Sequence, residues 1–142
     1  MSRNRAVAYG LGAIYTLIGI LGFFMVKDAG FAGRDFDDNV LGFAVNHLHN
    51  IVHLLIGLAL LGAARAGYRA ARSMNLAVGG TYLLVALIGF FIASETNDAN
   101  ILNLNGADNI LHLVTGAVLV AVAMMEKDYV EHDRERDRTS TI

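Results

Sequence analysis

The sequence contains no cysteine, which excludes disulfides, thiolate metal sites and thiol redox chemistry. It contains no proline either. Helices that break inside a membrane to expose backbone dipoles do so at Pro or Gly, so Pro-free apolar runs predict continuous helices rather than a transporter's discontinuous ones. Charge is scarce as well: Asp, Glu, Lys and Arg make up 17% of residues and sum to −2, and no stretch combines dense Lys/Arg with aromatic platforms. Nucleic acid is thereby excluded as a partner class. No Ser/His/Asp set sits in a recognisable catalytic context, and Gly79-Gly80 lies inside an apolar run rather than after a strand, so the chain reads as non-enzymatic.

Apolar sequence fills the space those absences leave. With 55% hydrophobic residues and a mean hydropathy of +0.48 over 142 residues, the chain exceeds what a soluble domain of this size carries. Four runs, at about 6–26, 47–64, 76–93 and 109–125, each approach the roughly 20 residues that cross a hydrocarbon core of about 30 Å. A cleaved leader is the competing reading of the first run, since Arg3 and Arg5 precede it. The run recurs, however: Tyr15 followed by Gly22-Phe23-Phe24 matches Tyr82 followed by Gly89-Phe90-Phe91 at a constant offset of 67. A segment with a counterpart in the body of the chain belongs to the fold.

The basic residues give an orientation. Arg3, Arg5, Arg65, Arg69, Arg72, Lys127, Arg134, Arg136 and Arg138 fall on one side of the four spans, and Lys27 and Arg34 on the other, which places both termini in the cytoplasm. The opposite connections carry Asp28, Asp35, Asp37, Asp38, Glu95, Asp98 and Asp108. Phe31, Phe36, Val40, Leu41 and Phe43 mingle with the acids of the first connection, a composition that suits either a short interfacial helix or an ordinary loop. Tyr9, Tyr68 and Tyr129 fall near the cytoplasmic ends, where amphipathic rings are favoured.

A second repeat carries the polar residues. At an offset of 59, the segment Asn46 to Gly57 lies over Asn105 to Gly116 with the shared pattern Asn-x-x-(His/Asp)-Asn-Ile-x-His-Leu-x-x-Gly. Both copies enter the membrane from the same side, so they are expected at the same depth, related by an axis along the membrane normal. Asn46 and Asn105 are candidate N-caps, with His49 and Asp108 where a capping-box partner reaches back. Asn50, His53 and Gly57 share one helix face, as do Asn109, His112 and Gly116; exposure of imidazole and carboxamide to acyl chains is unfavourable, so that face is expected to point into the bundle, with Gly57 and Gly116 admitting a neighbouring backbone. The histidines then lie about 10 Å inward of the caps.

These segments, Asn50-Ile51-Val52-His53-Leu54-Leu55-Ile56-Gly57 and Leu104-Asn105-Gly106-Ala107-Asp108-Asn109-Ile110-Leu111-His112-Leu113, resemble the signatures of the domain-of-unknown-function 4383 family, small four-helix membrane proteins of bacteria and archaea. The resemblance spans about Ala6 to Met125. It implies the four-span architecture and carries no activity, cofactor or catalytic residue with it.

Three readings of the polar face follow. In the first, Asn46, Asn50, His53, Asn105, Asn109 and His112 form an interhelical hydrogen-bonded layer that binds nothing. In the second, a divalent transition metal is held by His49 and His53, at i and i+4, with Asp108 or His112 completing a tetrahedral set. In the third, His53 and His112 are the axial ligands of a b-type haem. The expected molecule is an all-α integral membrane four-helix bundle made of two tandem helical-hairpin repeats, multi-pass in the inner or plasma membrane. Residues 1–125 form the membrane domain and residues 126–142 a charged cytoplasmic tail. Its expected partners are the lipid bilayer and, through glycine faces such as Gly10, Gly12, Gly19 and Gly22, a second copy or another membrane protein. Transport ranks third, because almost no charge lies mid-membrane.

Overall fold

The computed structural model describes residues 1–125; the expected tail, with Tyr129 and four of the basic residues used for orientation, lies outside the described residues. Four helices, α1 (Arg3–Met25), α2 (His47–Ala66), α3 (Tyr68–Ile92) and α4 (Gly106–Met125), are all long and apolar enough to cross a membrane. They run up, down, up and down, with α1 packed along α2 and α3 along α4. The helix starts follow local chemistry. The Ser2 hydroxyl accepts from the Arg5 N–H at 3.3 Å, and the Asn46 carboxamide accepts from the His49 N–H at 2.9 Å.

The helices differ in one place from the boundaries that hydropathy suggests. α3 begins at Tyr68, well before the expected 76, and only Gly67 separates it from α2. Its φ of +124° is a conformation that L side chains resist, so one glycine turns the chain. The arginines at 65, 69 and 72 mark where lipid ends, not where the helix ends, since Arg is a good helix former in water.

At the opposite end the first connection forms no helix. It folds into turns and a two-residue antiparallel hairpin, β1 (Asn39–Val40) with β2 (Phe43–Ala44). Polar side chains replace regular secondary structure as the source of order here. Asp38 Oδ2 accepts three successive N–H groups, from Lys27 at 2.8 Å and from Asp28 and Ala29 at 2.7 Å. Burial pushes the Asp38 carboxyl up, but those three N–H bonds and the Lys27 charge outweigh it and hold the group below its usual range. Asn103 donates to Asp35 and Val45 carbonyls, Asn46 donates to Gly33 and Ile101 carbonyls, and Arg34 pairs with Asp98 at 2.7 Å, so the two connections are sewn together.

The distribution of polarity is inverted relative to a water-soluble bundle. Asn4, Asn50, Asn75, His49, His53, Asp108, Asn109 and His112 are buried, while Leu17, Leu55, Leu87 and Ile110 point outward. Phe24 and Phe91, which occupy matching places in the two hairpins, are 79% and 81% exposed. Apolar faces of that extent suit lipid as the surrounding solvent.

Candidate functional site

The close approach of the helices sets the geometry of the site. A methyl added at Gly57 would meet the backbone of Gly12 and Thr16, and one added at Gly116 would meet the Gly79 carbonyl and Leu83. Two turns toward the loop end, the Asn50 carboxamide fills the notch left by Gly22, and Asn109 fills that left by Gly89. Small residues thus bring α1 against α2 and α3 against α4 closely enough to aim the histidines of α2 and α4 at one another.

Three imidazoles meet in the interior. His49, His53 and His112 are 1%, 5% and 3% exposed, and each offers a ring nitrogen within 4.8 Å of the other two. Ring centroids are 4.3 Å apart for His49 and His53, 6.0 Å for His49 and His112, and 6.2 Å for His53 and His112. Two tyrosines close the side facing the middle of the bundle. Tyr15 lies 5.2 Å from His53, Tyr82 lies 4.8 Å from His112, and the two phenol rings meet edge-on at 5.4 Å. On the other side β2 covers the rings, with Ala44 fully buried.

The hydrogen bonds around the rings define which nitrogens are free. His49 Nδ1 is 3.2 Å from the Ala44 carbonyl. A carbonyl only accepts, so this contact is a hydrogen bond in the Nδ1–H tautomer, the one found when a histidine ligates through Nε2. His49 Nε2, both nitrogens of His53 and Nδ1 of His112 are buried without a hydrogen-bond partner. Each such group carries a desolvation penalty of about 1–3 kcal/mol, and so many within one cluster ask for a ligand.

Asp108 lies outside the cluster. Its Oδ2 accepts from the N–H of Asn105 at 3.0 Å and of Ala44 at 3.1 Å, and its own N–H donates to Asn105 Oδ1 at 3.0 Å. This is a reciprocal capping box that also ties β2 to α4. The grouped ligand atoms are those of His49, His53 and His112, while Asp108 Oδ2 serves the cap and β2.

The polar layer divides in two. Asn46 and Asn105 make caps and loop bonds, Asn105 reaching the Gly42 carbonyl at 2.9 Å. Asn50 makes no side-chain hydrogen bond, and neither His53 nor the Asn109 carbonyl oxygen finds a partner. The inner residues of the face therefore do not satisfy one another, because their side chains lodge in glycine notches or stack on tyrosines rather than reaching across. His49 adds a third ring nitrogen within 4.8 Å of those of His53 and His112.

Several contributors escape a reading by hydropathy. The Ala44 backbone, which holds both His49 and Asp108, has no side-chain signature. At the far end Arg5 Nε donates to the Ala64 carbonyl in the last turn of α2 and Arg72 Nε to the Ala123 carbonyl of α4, both at 2.8 Å. Those arginines are themselves 67 apart, a signal the repeat contained. Buried Asn75 donates to Asn4 Oδ1 at 2.9 Å, joining α3 to α1. Tyr15 and Tyr82, visible in the repeat as ordinary interior tyrosines, turn out to wall the site.

Comparison with curated proteins and with solved structures returned no match. The sequence profile described as a domain of unknown function, DUF4383, matches residues 5–125, nearly the whole of the four-helix unit, and the chain belongs to that family.

Proposed function

We infer that the protein is a multi-pass membrane protein that binds a transition-metal ion through His49, His53 and His112. The observation that carries this reading is the convergence of three buried imidazoles with unpartnered nitrogens within 4.8 Å of one another. Imidazole suits zinc, copper, iron and nickel, and the His49 Nδ1 bond to a backbone carbonyl is the outer contact such ligands make.

The hairpins α1–α2 and α3–α4 are taken as tandem copies of one unit, a reading supported by matched contacts: Gly22 with Asn50 and Gly89 with Asn109, and Arg5 with Ala64 and Arg72 with Ala123. By the positive-inside rule the termini lie in the cytoplasm, which puts the metal site in the outer leaflet beneath the acidic connections. Binding is the proposed task, with the bilayer and a second copy as partners.

Protein purified in mild detergent after expression in metal-supplemented medium is expected to carry close to one transition-metal ion per chain by mass spectrometry. His53→Gln and His112→Gln, which preserve size and polarity, are each expected to abolish that content while leaving helix content unchanged. A metal-free wild type that cannot be loaded, or content that survives both substitutions, would refute the reading.

A further inference from the structure

We propose that Asp108 is a positioning residue for the metal site, acting through the Ala44 backbone to fix the direction and the tautomer of the His49 ring. The proposal rests on the metal-site reading above and concerns what holds one of its ligands in place. His49 and Asp108 occupy the same place in the two copies of the polar motif, 59 residues apart, and both reach the same residue. The Ala44 carbonyl lies 3.2 Å from His49 Nδ1, and the Ala44 N–H donates to Asp108 Oδ2 at 3.1 Å. Ala44, His49 and Asp108 are each at most 1% exposed, so bulk water does not compete for either bond.

An imidazole ligates in one direction only when something fixes its ring. A half-turn about the Cβ–Cγ bond of His49 would put a carbon where Nε2 stands. The Ala44 carbonyl favours the orientation that faces it with Nδ1, and in the Nδ1–H tautomer the Nε2 lone pair is left for an ion. His53 has no partner at either ring nitrogen, so no comparable contact orients it. Ligating histidines ordinarily donate their second nitrogen to a carbonyl or a carboxylate. Here a carbonyl meets the ring, and a carboxylate holds the residue that carries the carbonyl.

The residues on either side of Ala44 have other supports. Asn105 Nδ2 donates to the Gly42 carbonyl at 2.9 Å and Asn103 Nδ2 to the Val45 carbonyl at 3.0 Å, while the Val45 N–H donates to the Asp38 carbonyl at 2.9 Å. Asp108 is the side chain that fixes Ala44 between them, and a pairing of two residues per strand is too short to do so alone. An ion on Nε2 commits the ring proton to Nδ1 and so tightens the contact with Ala44. By linkage, a well-held Ala44 raises the affinity for the ion.

Metal-stripped protein in detergent is titrated with Zn(II) and, separately, with Cu(II) against a competing chelator, and imidazole nitrogen NMR of the metal-free form reads the His49 tautomer. Asp108→Ala is expected to lower the affinity by about 10–100-fold and to lose the single Nδ1–H form of His49. Asp108→Asn keeps an oxygen acceptor in place and is expected to restore both. Asn103→Gly is the control: it removes three bonds of the same connection, tolerates the φ of +55° and leaves the Ala44 clamp intact, so its affinity is expected to stay close to the wild-type value. The Ala44 amide supplies a readout that needs no variant, since its hydrogen exchange is expected to slow by about tenfold or more when the site fills. An affinity loss in Asp108→Ala no greater than in Asn103→Gly, an unmoved His49 tautomer, or Ala44 exchange indifferent to the ion would overturn the positioning role and leave the metal site standing. So would a loss in Asp108→Asn as complete as in His53→Gln, which would make Asp108 a ligand. Wild type that takes up neither ion would overturn both readings.

Discussion

The first hairpin, α1 with α2, and the second, α3 with α4, solve the same packing problem with the same residues. Gly12 and Gly57 match Gly79 and Gly116, Asn50 in the Gly22 notch matches Asn109 in the Gly89 notch, and Arg5 matches Arg72. Among the defined positions of the shared polar motif they part at one. His49 turns its ring inward to the other imidazoles, whereas Asp108 turns its carboxylate back to cap its own helix and hold β2. The matched positions supply the scaffold and two of the clustered imidazoles, His53 and His112, and the divergent position supplies the third, His49. A pair of strictly identical hairpins would have presented four imidazoles or two, with no covering strand fastened to α4.

The comparison breaks most sharply at the glycines. Gly57→Ala and Gly116→Ala force a methyl into backbone and are expected to destabilise by about 1–3 kcal/mol each, to similar extents in the two hairpins. Gly10→Ala and Gly62→Ala open onto free space and are expected to be neutral or stabilising by up to about 1 kcal/mol. Thermal unfolding in one detergent measures all four, and unequal losses at Gly57 and Gly116 would show that the hairpins are not packed alike.

The divergent position gives the next largest effect. Asp108→Ala strips the buried Ala44 N–H and the part-buried Asn105 N–H of their acceptor and is expected to lower stability by about 1–3 kcal/mol. His49→Ala removes one weak bond together with an unpartnered nitrogen, so in metal-free protein its loss is expected to be under about 1 kcal/mol. Equal losses at the two sites would erase the proposed division of labour. Smaller still, Arg5→Gln and Arg72→Gln each remove one donor to a helix carbonyl and are expected to lose about 0.5–1 kcal/mol.

The smallest effect is a pH dependence confined to the first connection. Asp38 titrates lower in the folded protein than its reference value of 3.8. Its contribution is therefore complete above that value and is lost as the pH falls through the folded one. Hydrogen exchange of the Lys27, Asp28 and Ala29 amides is expected to accelerate in acid below about pH 4, and Asp38→Asn to abolish the change. Protection that persists in acid would show that Asp38 does not order the turn.

Much of the scaffold was legible because lipid imposes a coarse rule on sequence. Long apolar runs, a motif repeated at offsets of 67 and 59, and Gly one turn beyond each His all follow from helix geometry and the need to hide polar groups. The start of α3 was not legible from hydropathy, since Arg69 and Arg72 are excluded from lipid yet remain helical. The hairpin at Asn39–Val40 and Phe43–Ala44 was hidden because its order comes from side chains of Asp108, Asn103 and Asn105, distant in sequence. The spacing of His49 and His53 announced a pair with Asp108 or His112 as further candidates, and the tertiary placement of α4 decides that His112 is the one grouped with them.

The central claim, that three of the five histidines share one ion, is tested most directly by imidazole nitrogen NMR of the protein in lipid nanodiscs during metal titration. The account predicts that His49, His53 and His112 shift together and saturate at one equivalent, with His49 protonated at Nδ1 and ligating through Nε2, while His47 and His132 stay in place. Shifts confined to His47 and His132, or no shift at His53 and His112 with excess metal present, would contradict it.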